Sequence, residues 1–144
     1  MTRCVFQIAT IIILAFGSSA FADTAIRVED PAKFSQELFA NISPLKASEI
    51  AKKVATTIGK PEAAETIENG LKLLDGKKID ISKKVIDRDI SGALHQIVYY
   101  AYVENIGFLY FRLNFKITST GWILANFNFK TETNELFPKD FVEP

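Results

Sequence analysis

The feature that most constrains this fold is the alternation of side chains between Ala93 and Lys130. Three stretches, ALHQIVYYAYVE, FLYFRLNFKIT and WILANFNFK, follow one another with the glycine-bearing turns VENIGF and TSTGW between them. Period-two alternation broken by such turns predicts three consecutive antiparallel strands. A three-residue hairpin loop that closes on a residue with φ > 0 suits Gly107 and Gly121, because glycine adopts that conformation without steric cost. In that register Glu104 opposes Phe108 and Thr118 opposes Trp122. Val103 then faces Leu109, Ala101 faces Phe111, Tyr99 faces Leu113 and Ile97 faces Phe115. Across the second turn Phe115, Leu113 and Phe111 face Ala125, Phe127 and Phe129. The odd-numbered face is apolar and is the predicted core. The even face carries Tyr100, Tyr102, Tyr110, Arg112, Asn114, Lys116, Trp122, Leu124, Asn126 and Asn128. A slip of one residue would exchange the two faces, so burial of the odd set fixes the phase.

Upstream the period changes to that of helices. Asp30-Pro31 is an N-cap followed by a proline at the first helical position, and Phe34, Leu38 and Ile42 then recur at spacings of four, predicting a helix over 31–41. Ser43-Pro44 repeats the start signal for a second helix reaching Ile58, with Ile50, Val54 and Ile58 on one stripe and Gly59 as its stop. A third helix begins at Pro61, carries Ala64, Ile67, Leu71 and Leu74, and ends at Asp75-Gly76. Gly70 inside it costs about 1 kcal/mol relative to alanine, which marks a close packing contact. Over Lys77 to Ile90 the isoleucines change phase, Ile79 and Ile81 against Ile86 and Ile90, so this strand is expected to be bulged or broken near Ser82 to Lys84. Lys77, Lys78, Lys83 and Lys84 suit a solvated edge. Three N-terminal helices packed on one face of a curved, mostly antiparallel four-stranded meander make an α+β fold.

The first 22 of the 144 residues form a separate unit. Arg3, the apolar run from Val5 to Phe16 and Ala20-Phe21-Ala22 have the order of a signal peptide cleaved before Asp23. The run is shorter than the roughly 20 apolar residues needed to span a bilayer. Residues 23–144 are then one exported domain, periplasmic or secreted, with no membrane span after cleavage. Asp23 to Glu29 reads as a polar leader. At the other end, Leu136, Phe137 and Phe141 are available to cover one end of the core. The whole chain balances 17 basic against 17 acidic residues, and cleavage removes Arg3 alone. A balance so close to neutral argues against nucleic acid as a partner, which demands a concentrated basic surface. Cys4 leaves with the leader, so the domain has no cysteine and one histidine. The usual zinc constellations are thereby excluded, and no metal or cofactor is expected.

The closing run Gly121-Trp122-x-x-x-x-Phe127-x-Phe129, the paired long hairpins and the curved meander behind a helical first half resemble the nuclear-transport-factor-2-like (cystatin-like) superfamily, over about Asp30 to Pro138. The resemblance implies that fold, and a functional range from isomerases, cyclases and dehydratases to non-enzymatic binding and assembly domains. It supplies no catalytic residue.

Three constellations carry chemistry. His95 falls on the core phase near the sheet end, opposite Ile117 in the predicted register, and with Tyr99 near the mouth of a pocket it could serve as a general acid or base. A histidine at the rim of a core is the plainer explanation. Asp87 and Asp89 share a strand face and could hold a cation, although a D-x-D on a lysine-rich edge is commonly just solvated. The ladder of Tyr100 opposite Arg112 and Asn114 opposite Asn126, with Tyr102, Tyr110 and Asn128 adjoining, is the strongest candidate. Such pairs stabilise a sheet by a few tenths to about 1 kcal/mol each, and the same residue types anchor interfaces. Asn41-Ile42-Ser43 matches a glycosylation pattern, but Ser43 is better used as a helix cap ahead of Pro44. The expected function is a non-enzymatic binding or self-association module, a homodimer or the receptor of a protein partner, working through the even face. The alternative is a small-molecule binder or isomerase-like enzyme with a pocket between helices and sheet.

Overall fold

The structure is a computed structural model and describes residues 25–130. The expected leader at 1–22, Cys4 and the hydrophobic residues Leu136, Phe137 and Phe141 lie outside the described residues. Three helices, set between the first strand and the other four, cover a curled antiparallel sheet. The elements are β1 (Arg27–Val28), α1 (Pro31–Phe39), α2 (Ala47–Ile58), α3 (Ala64–Leu71), β2 (Ile79–Ile90), β3 (Leu94–Val103), β4 (Gly107–Thr118) and β5 (Gly121–Lys130). Short 3-10 turns at Pro61–Ala63 and Lys72–Leu74 flank α3.

The sheet has five strands in the order β1-β5-β4-β3-β2, every pair antiparallel. The fifth strand corrects the four-strand expectation. Part of the polar leader is β1, which lies against the start of β5 with Arg27 opposite Ile123 and Val28 opposite Trp122, and Val28 is buried in the core. At the other edge β2 is continuous, with its irregularities between Ile79 and Ile81 and between Lys84 and Ile86.

Helix α1 starts as its sequence dictates: Asp30 Oδ1 accepts from the Ala32 N–H at 2.8 Å and the Lys33 N–H at 3.1 Å. Helix α2 starts three residues later than Pro44. The intervening chain is non-helical, and Leu45 within it is fully buried, its N–H donating to Lys77 O at 2.9 Å and its carbonyl accepting from Gly76 N–H at 2.8 Å. Ser43 is therefore not the cap of α2. Its Oγ accepts from Ile79 N–H at 3.0 Å, and Asp75 Oδ1, from a distant loop, takes the Ala47 N–H at 2.8 Å. Gly59 ends α2 in the left-handed conformation, φ 81°. The expected close contact at Gly70 is present, since a Cβ there would stand 2.8 Å from Phe129 Cζ.

Both hairpins differ in register from the sequence reading. In the β3–β4 turn Asn105 takes the left-handed conformation at φ 65°, and Ile106 N–H closes onto Val103 O at 3.1 Å. The loop is thus Glu104–Ile106, and Val103 opposes Gly107. Every pair slides by two: Tyr99 meets Phe111, Tyr100 meets Tyr110 and not Arg112, and His95 meets Phe115 and not Ile117. An even shift preserves the faces. The β4–β5 turn is shorter than expected, with Thr118 opposite Gly121, and the difference is absorbed by a bulge at Ala125. Beyond the bulge Asn114–Asn126, Leu113–Phe127 and Phe111–Phe129 pair as predicted. Before it the phase reverses, so Trp122 and Leu124 belong to the helix-covered face, not to the polar one. Leu124 is 1% exposed and Trp122 packs on the core.

The core joins Leu38, Phe39, Leu45, Ile50, Val54 and Leu71 of the helical layer to Ile97, Tyr99, Leu109, Phe111, Leu113 and Phe115 of the sheet. Phe39 wedges between Tyr99 and Phe111, with ring centroids 4.5 Å and 5.0 Å away. Beneath the helices these side chains form one contiguous buried cluster. Phe127, on the face expected to be the core, is half-buried against this cluster. Among the described residues no helix is long and apolar enough to cross a membrane.

Candidate functional site

The observed register lays out the second face of the sheet in rows. Directly opposed residues share a face, and neighbouring strands stand about 4.8 Å apart. One row runs Ile81, Tyr102, Phe108; the next Lys83, Tyr100, Tyr110, Lys130; then Ile86, Val98, Arg112, Asn128; then Arg88, Gln96, Asn114, Asn126; and last Ile90, Leu94, Lys116, Ile123, Arg27. All seven predicted binding residues, Tyr100, Tyr102, Tyr110, Arg112, Asn114, Asn126 and Asn128, fall on this one face. None of them belongs to the core under the helices.

The rows differ in chemistry. Near the β3–β4 turn the face is aromatic, with Phe108 52% exposed and packed against Tyr102 and Tyr100 at centroid distances of 5.3 and 6.1 Å. Toward the other end it is an amide ladder. Gln96 Nε2 donates to Asn114 Oδ1 at 3.1 Å, and Asn128 Nδ2 donates to Asn126 Oδ1. Between them Val98 is fully buried and Arg112 is half-buried with its Nε enclosed. Lys83, Lys116 and Lys130 stand exposed toward the perimeter. At its paired positions the face holds Arg27, Lys83, Arg88, Arg112, Lys116 and Lys130 and no carboxylate.

Sequence reasoning omitted part of this surface. Phe108 and Gln96 lie on the even phase and were accessible to the same alternation argument. Lys83 and Arg88 were not, because two bulges in β2 separate sequence parity from face. Arg27 required knowing that the leader pairs with β5.

His95 sits in an ion-paired cluster beside β2, apart from the cleft that Tyr99 lines. His95 Nε2 and Asp87 Oδ1 are 2.6 Å apart, Lys84 Nζ pairs with Asp87 Oδ2, and the His95 ring stands edge-on to Trp122 at 5.9 Å. Burial pushes the Asp87 carboxyl up, but the hydrogen bonds from Lys84 and His95 outweigh it and hold its pKa below the ordinary value. The same bond to Asp87 raises Lys84. Asp89 is engaged separately, accepting from Gly92 N–H at 2.6 Å. Tyr99 instead lines an open cleft of about 400 Å³ between the end of α1 and the β2 edge, with Phe39, Ile42, Ser43, Ile79 and Ser82. A second open recess, about 460 Å³ and lined by Gly70, Leu73, Leu74, Ile106, Leu109, Phe129 and Lys130, is mainly apolar. Among the described residues no cluster of His, Cys, Asp and Glu suits a metal ion. No protein-family model, curated protein or solved structure matches the chain.

Proposed function

We propose that the protein is an exported, non-enzymatic binding module that engages a protein partner through the aromatic, amide-rich and basic face of its sheet. The observation that carries this reading is the placement of Tyr100, Tyr102, Phe108, Tyr110 and Arg112 on one face, opposite the helix-covered core. A cluster of aromatic groups beside a central arginine, with exposed lysines toward the perimeter, has the composition of a protein interface. The contiguous buried core and open clefts favour a surface over a deep ligand pocket. The A-x-A pattern at Ala20–Ala22 supports export, and the order of helices before four strands of a curled antiparallel sheet supports kinship with the nuclear-transport-factor-2-like superfamily.

The test is affinity capture from the exported fraction with the wild type and a Tyr110→Ala/Arg112→Ala variant of unchanged circular dichroism. A partner captured by the wild type and lost in the variant is the expected result. Equal capture by both would overturn the assignment of this face.

A further inference from the structure

We infer that this face recognises an acidic polypeptide segment bearing phenylalanines, and that the chain supplies one itself in residues 131–144, TETNELFPKDFVEP. The inference rests on the reading of the face as a binding surface and names what it binds. Its first support is charge. The paired positions of this face hold six bases and no carboxylate, an excess of basic residues in a chain that balances 17 bases with 17 acids, and Lys83 and Lys116 among them stand exposed. A second copy docking through the same face would set cation against cation, which costs free energy and disfavours self-association there. An acidic strip is complementary.

The second support is the sequence that follows β5. Glu132, Glu135, Asp140 and Glu143 are opposed by Lys139 alone, and Phe137 and Phe141 are interspersed among them. That composition matches lysines and arginines set among Tyr100, Tyr102, Phe108 and Tyr110. The third support is position. Lys130, the last residue of β5, stands on this face at the end of the row through Tyr110, Tyr100 and Lys83. Crossing from β5 to β2 covers about 15 Å, a distance that about five residues of extended chain reach. A segment attached at Lys130 is therefore long enough to reach every strand of the face, and tethering would raise its effective concentration there. A partner that presents a stronger acidic segment would compete for the same groups, which makes the segment an occupant to be displaced.

The experiment uses a labelled synthetic peptide of residues 131–144 added to the full chain. The proteins are the wild type and a variant carrying Glu132→Gln, Glu135→Gln, Asp140→Asn and Glu143→Gln. The variant is expected to bind the added peptide at least about tenfold more tightly than the wild type, whose own segment competes, and binding should weaken with added salt. Introducing Arg112→Glu into the variant, or Lys83→Glu with Lys116→Glu at exposed positions that leave folding intact, should abolish it. Equal peptide affinity for wild type and variant, or affinity indifferent to these charge reversals, overturns the inference. Oligo(dT) and heparin are run beside the peptide. Retention of either, lost on Lys83→Glu/Lys116→Glu, in a protein that ignores the peptide would overturn the segment and leave the face as an anion-binding surface. No probe responding to the reversals would overturn both readings.

Discussion

Phe111 shows how much one residue can decide. It is fully buried, with Phe39 at 5.0 Å and Phe127 and Phe129 at 6.2 and 6.4 Å between ring centroids. Phe111→Ala should cost about 3 to 5 kcal/mol, whereas Phe108→Ala on the other face should cost within about 0.5 kcal/mol; denaturant titration of both variants checks the contrast. Asp87 gives a pH-dependent prediction. Its carboxyl pKa is depressed in the folded protein by Lys84 and His95, so the stabilisation is present above the unfolded value of about 3.9 and is lost as pH falls through the lower folded value. Asp87→Asn should lower stability at neutral pH and shrink the loss below about pH 4 in acid titrations followed by Trp122 fluorescence. At this scale the sequence was a good guide wherever alternation ran unbroken. Tyr100, Arg112 and Asn114 fell on their predicted face, but Trp122 did not, because a bulge at Ala125 reverses parity before it and no residue type announces that bulge.

Among the elements, the β3–β4 hairpin carries the plainest lesson. Asn-Ile-Gly offers two residues able to adopt φ > 0, and the turn uses both, Asn105 at 65° and Gly107 at 103°. Assigning the conformation to Gly107 alone moved the loop along the chain and slid the register by two. The faces survived because two is the period of the strand. Asn105→Val should destabilise by about 1 to 2 kcal/mol, the cost of a left-handed β-branched residue, while Asn105→Gly should be tolerated; thermal melts distinguish them. The start of α2 was misread for a different reason. Its cap comes from Asp75, distant in sequence, because Leu45 is buried and bonded to Gly76 and Lys77 in non-helical chain where Ser43-Pro44 would have begun a helix. Asp75→Ala should cost about 0.5 to 2 kcal/mol, measurable as a shift in the denaturation midpoint.

At the scale of the molecule, one sheet divides two chemistries. The helix-covered face is packed with phenylalanine and leucine, while the other sets aromatics and amides among six bases. The first division could be read from strand alternation. The concentration of positive charge could not, because it depends on Arg27 pairing through β1 and on bulges that turn Lys83 and Arg88 to the same side. The four tyrosines of the chain test this division directly, since Tyr99 is buried against Phe39 while Tyr100, Tyr102 and Tyr110 lie on the opposite face, part-exposed. Nitration of the native protein with tetranitromethane, read by peptide mass spectrometry, should modify Tyr100 and Tyr102 well ahead of Tyr99. Modification of Tyr99 as fast as Tyr100 and Tyr102 would contradict the assignment of the two faces, and with it the binding surface.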